Sequence, residues 1–169
     1  MSSLQSLKVL LVDDNQNMRA IAAAVLHSAD IREVREATDG AAAYEILRQH
    51  PIDVAIIDFN MAPMDGVAFT RLVRTDPHSP NIYLPIIMMS GHSEASRVRE
   101  ARDAGVTEFL VKPITAKAVL DRINAVILKP RPFVKTDSYF GPCRRRKQVE
   151  DYAGPFRRAV DARASVARR

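Results

Sequence analysis

A short apolar run that ends in a carboxylate constrains this chain more than any other feature. The run Val54–Ile57 is rich in β-branched residues, which predicts a strand buried on both faces of a parallel sheet. Asp58 follows at once, and a loop with Asn60, Pro63 and Gly66 comes after it. In open parallel sheets the ligand crevice lies just outside the carboxyl ends of the strands. The sequence therefore predicts that Asp58 lies where such folds perform their chemistry.

Strand and helix patterns alternate along the first three quarters of the chain. Apolar runs predict strands over 8–12, 33–37, 53–57, 85–89 and 107–111. Helical spacing and capping residues predict helices over 17–28, 41–48, 67–74, 94–104 and from Thr115 to near Lys129. Strict alternation of this kind predicts an α/β fold with a parallel sheet covered on both sides.

The charge of the chain divides it into two parts. Residues 1–128 carry 13 Lys and Arg against 16 Asp and Glu, whereas residues 129–169 carry 12 against 4. We therefore expect a mildly acidic domain over 1–128 and a cationic extension over 129–169. A single cysteine, Cys143, and an N-terminus without a signal-peptide pattern predict a cytoplasmic protein.

Potentially reactive side chains follow four of the five predicted strands. Parallel strands would gather them at one edge of the sheet, where three carboxylates repel one another unless a cation lies between them. Mg²⁺ with its oxygen ligands suits such a cluster, and a carboxylate can accept a phosphoryl group that an ammonium and a hydroxyl then hold. These residues are Asp13, Asp14, Asp58, Ser90 and Lys112.

Each of these residues also has a plain structural explanation. Asp13 and Asp14 can cap a helix, Ser90 can be a turn residue, and Lys112 can be a solvated charge. The whole set, in order and at strand ends, favours the phosphoryl-transfer interpretation. The four histidines are scattered without ligand spacing, so no metal is assigned to them.

These motifs resemble those of CheY-like receiver domains of two-component signalling over residues 7–128. The resemblance implies a flavodoxin-like fold with strand order 2-1-3-4-5. It also implies that the protein accepts a phosphoryl group from a histidine kinase or phosphotransfer protein and has little enzymatic activity of its own. The matching residues are Val12-Asp13-Asp14, Asp58 with Met61 and Asp65-Gly66, Ser90-Gly91, and Lys112-Pro113.

The resemblance also implies a role for each matching position. Asp58 is the phosphoacceptor, and Ser90 and Lys112 contact the phosphoryl group. Asp14 binds Mg²⁺ directly, Asp13 largely through water, and Asp58 and the backbone carbonyl of Asn60 complete the metal site. Phe109 occupies the position of an aromatic residue that turns inward on activation, although core packing explains it equally well. The family has Pro four residues after the acceptor, where this chain has Ala62, so we expect a slightly altered loop with the chemistry kept.

The extension after Lys129 combines aromatic residues, a Gly141-Pro142 turn and consecutive arginines. Its apolar content is too low for a core of its own, which predicts a mostly irregular segment with a weak helical pattern over 152–167. We expect such a segment to become ordered when it binds a ligand. Guanidinium groups bind phosphate or the guanine edge through two parallel bonds, and aromatic rings stack on bases. A small guanine nucleotide with two phosphates would use all of these groups.

This extension resembles the arginine-rich tail of the alphaproteobacterial Cle-type CheY-like effectors, over roughly residues 130–160. The resemblance implies binding of cyclic di-GMP and action on the flagellar motor or another signalling partner. The ligand-binding candidates that follow from it are Arg131, Tyr139, Arg144, Arg145 and Arg146, with Arg157 and Arg158 as additions.

Two alternatives stay open from the sequence. The extension can be a cationic arm that binds RNA, DNA or acidic membrane without specificity, in which case binding should weaken steeply with salt. The whole protein can be a stand-alone phosphorelay receiver that is controlled only at Asp58. The sequence contains no second pocket motif, so we do not expect an enzymatic output.

Overall fold

The computed structural model describes residues 4–91 and 96–144 and a strand at 165–167. Five parallel strands form one sheet in the order β2-β1-β3-β4-β5, which confirms the predicted flavodoxin-like α/β fold. The strands are Lys8–Val12 (β1), Glu33–Ala37 (β2), Val54–Asp58 (β3), Ile86–Ser90 (β4) and Glu108–Val111 (β5). The helices are Gln16–Ser28 (α1), Gly40–Gln49 (α2), Gly66–Thr75 (α3), Val98–Ala104 (α4) and Ala116–Leu128 (α5).

The element boundaries differ from the predicted ones by small amounts. β3 and β4 each begin and end one residue later than predicted, so Asp58 and Ser90 are the last residues of their strands. α4 begins at Val98 instead of residue 94, and residues 92–95 lie outside the described part of the chain. Both strand shifts keep the polar side chain at the carboxyl end, so the placement of the site is unchanged.

The sheet separates two apolar layers. All residues of β3 and β4 are buried, which is the pattern expected for central parallel strands. One core cluster packs α2, α3 and α4 residues such as Phe69 against the sheet, and the other packs α1 and α5 residues such as Leu26 and Ile123. Within the described residues, no helix is long and apolar enough to cross a membrane.

Side-chain caps start four of the five helices where the sequence places Asn, Asp or Thr. Asn15 accepts from the Asn17 and Met18 amides at the start of α1. Asp39, Asp65 and Thr115 do the same for α2, α3 and α5. These oxygens satisfy helix N–H groups that have no partner within the helix, and they fix where each loop at the carboxyl edge of the sheet ends.

The extension forms a second, three-stranded sheet with the order β7-β6-β8. Phe133–Lys135 (β6) pairs antiparallel with Phe140–Pro142 (β7) and with Ser165–Ala167 (β8). These three strands of three residues each lie within an extension that the sequence predicts to be mostly irregular, and β8 lies where the weak helical pattern over 152–167 ends. Residues 145–164 lie outside the described part of the chain.

Aromatic packing holds the β6–β7 hairpin (residues 131–144) on the first domain. The ring of Phe133, which is 5% exposed, lies 5.0 Å from the Tyr83 ring and 5.5 Å from the Phe140 ring. Tyr83 precedes β4, far from the hairpin in sequence. The extension has few apolar residues of its own, so Phe133 is buried by packing on an aromatic ring of the domain.

A buried arginine supports the same contact. Arg74, 4% exposed, donates to the backbone oxygens of Ile82, Leu84 and Gly105 and lies 5.0 Å below the Phe133 ring. A buried guanidinium needs several acceptors to offset its lost hydration, and here these acceptors lie at the amino ends of β4 and β5. The hairpin covers this region of the domain.

We expect Phe133→Ala to lower the free energy of unfolding by about 3 kcal/mol, because it leaves a cavity between Tyr83, Phe140 and Arg74. Equilibrium unfolding in urea measures this change. Lys135→Ala, on the exposed end of the same strand, is the matched control and should stay within about 0.5 kcal/mol of the natural protein. A Phe133→Ala chain as stable as this control would show that the hairpin does not pack on the domain.

Candidate functional site

Three carboxylates meet at the carboxyl edge of the sheet. Asp13 and Asp14 follow β1, and Asp58 ends the neighbouring β3. One oxygen of each lies within 4.8 Å of the others. Asp13 and Asp58 are buried, at 2% and 7% exposure, whereas Asp14 is exposed. The cluster therefore has two enclosed carboxylates and one that faces solvent.

Asp13 uses only one of its two carboxylate oxygens in hydrogen bonding. Oδ1 accepts from the Asn15 amide at 2.9 Å, and the Asp13 backbone oxygen accepts from Arg19 Nη1 at 2.8 Å. Oδ2 is buried and has no hydrogen bond from the described residues. A buried carboxylate oxygen without a donor is costly in free energy, and a cation is the usual remedy.

Lys112 supplies the nearest positive charge to this cluster. Its Nζ lies 2.6 Å from Asp58 Oδ1 and 3.6 Å from Asp13 Oδ2, which is beyond hydrogen-bond distance. The Lys112 backbone amide donates to Ser90 O at 2.9 Å, which fixes the residue at the end of β5 beside β4. Burial lowers the pKa of Lys112, but its hydrogen bond to Asp58 and the charges of Asp58 and Asp13 outweigh this effect and raise it. Lys112 is therefore a stable cation.

The carboxyl group of Asp58 is held in an unfavourable environment for its charge. Burial raises the pKa of Asp58 above its usual value, and the charge of Asp13 adds to the rise. The hydrogen bond and charge of Lys112 act in the opposite direction without cancelling it. A carboxylate that is partly desolvated and paired with a single ammonium is a suitable nucleophile for a phosphoryl group.

Three further predicted residues surround this cluster. Ser90, 5% exposed, ends β4 one position beyond the pair that Asp58 makes with Met89. Phe109 lies on β5 opposite Met88 and is half-buried against the core, so its environment fits both the switching and the packing explanation. Asn60 lies exposed in the loop after β3.

The altered loop after Asp58 keeps its connections to the domain. Phe59 is fully buried, and its amide donates to Met89 O at 3.1 Å. The Gly66 amide donates back to Phe59 O at 3.2 Å. A side chain at Gly66 would collide with the Asp58 backbone oxygen, 2.5 Å from its Cβ position, so glycine is required there. The loop returns close to Asp58, as the chemistry requires, with Ala62 at the position where Pro was expected.

The oxygen set at this edge fits Mg²⁺. Asp13 has an unused buried oxygen, Asp14 is exposed and accessible, and Asp58 lies within reach of both. Hard divalent cations take such carboxylate oxygens and keep water or phosphate oxygens in their remaining positions.

The structure places the described nucleotide-binding candidates, Arg131, Tyr139 and Arg144, at the opposite end of the sheet. Arg131 donates to the backbone oxygens of Thr107 and Cys143, and it lies 3.6 Å from Glu108 Oε1 at the start of β5. Its three contacts belong to the hairpin and the domain, so its guanidinium is already occupied. Arg145, Arg146, Arg157 and Arg158 lie outside the described residues.

Tyr139 and Arg144 form a stacked pair on the hairpin surface. The Arg144 guanidinium lies 4.1 Å from the centre of the Tyr139 ring, and its Nη1 lies 3.1 Å from Asp103 Oδ1 in the last turn of α4. The Tyr139 hydroxyl donates to Pro142 O at 2.8 Å. Burial raises the pKa of this phenol, which keeps the hydroxyl protonated.

Sequence reasoning missed Arg97, which lies at the N-terminal end of α4 beside the loop after Asp58. It contacts Asn60, Asp65 and the ring of Phe59. A single arginine without a motif around it gives no signal in the sequence, because its partners lie more than 30 residues away.

Comparison with known proteins was made on the sequence and on the fold. Residues 9–124 match the family model described as the response regulator receiver domain. The chain is 30% identical to chemotaxis protein CheY-3 of Vibrio cholerae over 122 residues, which cover 72% of this chain and 92% of that protein. It is 32% identical to chemotaxis protein CheY of Pseudomonas aeruginosa over 120 residues, covering 71% and 95%.

A solved structure supports the same likeness. The fold superposes on chemotaxis response regulator CheY4 of Vibrio cholerae with a TM-score of 0.64, at 32% identity, covering 72% of this chain and 98% of that one. The family match ends at residue 124, before the hairpin begins.

We expect Asp58→Asn to raise the free energy of unfolding at pH 7, since it removes a buried charge and keeps an oxygen that accepts from Lys112. The raised pKa of Asp58 means that its charge destabilises the folded state above that pKa. As the pH falls toward the ordinary value of 3.8, the natural Asp58 takes up its proton and the difference should disappear. Urea unfolding across this pH range measures it.

Asp53→Asn, at an exposed position before β3, is the control for the loss of one negative charge. An Asp58→Asn chain less stable than the natural protein at pH 7 would show that the attraction of Lys112 exceeds the cost of burial.

Proposed function

Since the chain belongs to the response regulator receiver family, which serves two-component and chemotaxis signalling, we propose that Asp58 is its phosphoacceptor. The observation that carries this proposal is the 2.6 Å pair between Asp58 and Lys112 within a cluster of three carboxylates, of which two are buried. A carboxylate oxygen of Asp58 attacks the phosphorus of a phosphohistidine on the donor protein. The new Asp58 O–P bond forms as the P–N bond breaks, and the donor imidazole keeps the electron pair and takes up a proton.

Receiver domains bind Mg²⁺ at an acidic cluster, and in this chain Asp13, Asp14 and Asp58 form one. We assign the metal to these three carboxylates and to the backbone carbonyl of Asn60. When bound, Mg²⁺ neutralises charge on the transferring phosphoryl oxygens. Asp13 Oδ2, which has no hydrogen bond from the described residues, is the oxygen that gains most from this arrangement.

Lys112 and Ser90 hold the product. Lys112 Nζ already donates to Asp58 Oδ1, and its ammonium pairs with a phosphoryl oxygen once that carboxylate is phosphorylated. The Ser90 hydroxyl, at the end of the adjacent strand, donates to a second phosphoryl oxygen. Phe109, which lies on β5 opposite Met88 and packs against the core, is the side chain that changes position on phosphorylation in this proposal.

Asp58→Asn should abolish the phosphorylated species that forms with acetyl phosphate and Mg²⁺, because the amide is not a nucleophile for phosphorus. Intact mass, and loss of the added mass on treatment with hydroxylamine or alkali, measure this. Asp53→Asn, before the start of the same strand, should be phosphorylated as the natural chain is. Phosphorylation of the Asp58→Asn chain to the natural level would place the acceptor elsewhere.

For the extension we propose cyclic di-GMP as the ligand. The supporting observation is the Tyr139–Arg144 pair, in which the carbon of a partly exposed guanidinium lies 4.1 Å from the centre of an aromatic ring. This arrangement suits a planar base and its phosphates, and Arg145 and Arg146 follow directly in the chain. The ligand-bound extension then docks on a partner protein, with the flagellar motor as the leading candidate in the cytoplasm.

The contacts of Arg131 indicate a structural role in this proposal instead of a ligand-binding one. It ties the hairpin to the start of β5 and so supports the stack instead of reaching the ligand. A chain cut at Leu128 is therefore a poor test, since it loses the core residue Phe133 together with the arginines. Point variants on the hairpin separate ligand binding from folding.

Replacing Arg144, Arg145 and Arg146 together with Ala should reduce cyclic di-GMP affinity at least about 100-fold, because two or more charge-assisted phosphate contacts are lost. Calorimetric titration of the full-length chain measures it. The matched control replaces Arg32, Arg48 and Lys117, three exposed cations elsewhere, with Ala.

Titrations with cyclic di-AMP and at increasing salt concentration distinguish a specific nucleotide site from a non-specific cationic arm. A specific site prefers the guanine ligand and keeps its affinity with salt, whereas a non-specific cationic arm binds both nucleotides alike and weakens steeply. Absence of binding by the natural chain would leave a phosphorelay receiver controlled at Asp58.

A further inference from the structure

Arg97 contacts three residues of the loop that joins β3 to α3. This loop, residues 59–65, is called the acceptor loop here because it follows Asp58. Arg97 Nη1 donates to Asn60 Oδ1 at 2.8 Å, and Nη2 lies 3.4 Å from Asp65 Oδ2. The guanidinium also lies 4.5 Å from the centre of the Phe59 ring. One side chain therefore contacts the first, second and last residues of the acceptor loop.

The Arg97 side chain is itself oriented from two helices. Its Nε lies 3.5 Å from Glu100 Oε2 on α4, and Glu100 Oε1 lies 3.4 Å from Arg71 Nη2 on α3. Each of the three guanidinium nitrogens thus faces a different oxygen. A planar group with five N–H donors fits this arrangement, whereas a lysine ammonium cannot span all three oxygens and stack on a ring.

Backbone contacts fix the two ends of the acceptor loop. Phe59 is bonded to Met89 and Gly66, and Asp65 Oδ1 caps α3 by accepting from the Ala68 amide at 2.8 Å. Asn60 is exposed between these ends. A side chain anchored through Oδ1 limits rotation about the Asn60 backbone, and this rotation sets the direction of the Asn60 carbonyl.

We propose that Arg97 is a positioning residue for the Mg²⁺ site, which holds the Asn60 carbonyl in the direction that the metal requires. This inference rests on the proposed role of Asn60 as a metal ligand. Groups that orient metal ligands contribute roughly 10- to 100-fold in metal affinity. The Arg97 side chain is 38% exposed, which places the expected effect at the lower end of that range.

A simple charge effect would have a different outcome. A positive charge beside three carboxylates repels Mg²⁺, so an unattached cation at this position would weaken metal binding. Arg97→Lys keeps the charge and removes the planar fork. It therefore tests positioning without changing the net charge, and a role through charge alone leaves the affinity of this variant unchanged.

The test is calorimetric titration of Mg²⁺ alone into the full-length protein and four variants. Arg97→Lys and Asn60→Ala should each bind Mg²⁺ about tenfold more weakly. The double variant should bind no more weakly than either single one, since both changes remove the same contact. Arg99→Lys, an exposed position on the same helix, is the control and should bind as the natural chain does.

A second measurement separates positioning from general damage. With acetyl phosphate as donor, the Mg²⁺ concentration for half-maximal phosphorylation should rise about tenfold in Arg97→Lys, while the rate at saturating Mg²⁺ stays unchanged. Urea unfolding should show a folded chain. Asn60→Ala changes only an exposed side chain, so it provides the same test if Arg97→Lys does not fold.

Natural Mg²⁺ affinity in a folded Arg97→Lys chain overturns this inference. Additive losses in the double variant overturn it as well. Weakening of the same size in Arg99→Lys also overturns it, because the effect would not depend on the acceptor loop. Absence of Mg²⁺ binding by the natural chain overturns the proposed metal site itself, and this inference falls with it.

Discussion

Two buried carboxylates beside one ammonium set the character of the carboxyl edge of this sheet. Asp13 and Asp58 are both buried at this edge. Of these two carboxylates, Lys112 makes a hydrogen bond to Asp58 and lies farther from Asp13. Within the described part of the chain, Lys112 thus faces more negative charge than its ammonium can balance. Burial keeps the pKa of Asp58 raised in spite of Lys112, so the folded chain holds this carboxylate at a cost in free energy.

That imbalance explains the chemistry that such an edge supports. A divalent cation, with or without a phosphoryl group, would find carboxylate oxygens here whose charge is not fully compensated, and Lys112 already lies 2.6 Å from Asp58 Oδ1. The β-strands supply the rigidity, since Asp58 and Ser90 end strands that are buried along their whole length. Preorganised charges in a partly dry site act more strongly than the same groups in water.

Much of this edge follows from the sequence because it depends on local patterns. Apolar β-branched runs mark the strands, and the polar residue after each run lies at the carboxyl end whatever the exact boundary. The one-residue shifts of β3 and β4 changed nothing for this reason. Arg97 could not be found in the same way, because its meaning depends on Asn60 and Asp65, which only the fold brings close.

The hairpin shows the same limit more clearly. By composition, residues 131–144 lack enough apolar surface to fold alone, and that argument is correct for an isolated segment. Phe133 instead packs on Tyr83 and above Arg74, both from the first domain, so the burial comes from a long-range contact. A charge count places a boundary at residue 128, whereas the packing continues across it.

The strand β5 connects the two ends of the molecule. Arg131 holds the residues at its start, Thr107 and Glu108, and Lys112 follows its end beside Asp58. Phe109 lies between them. A ligand on the hairpin and a phosphoryl group on Asp58 influence each other only where β5 or α4 has two arrangements that the two events favour differently. Arg144 contacts Asp103 in the last turn of α4, and Arg97 contacts the acceptor loop from the N-terminal end of the same helix. Within the described residues, α4 therefore touches both the hairpin and the loop after Asp58.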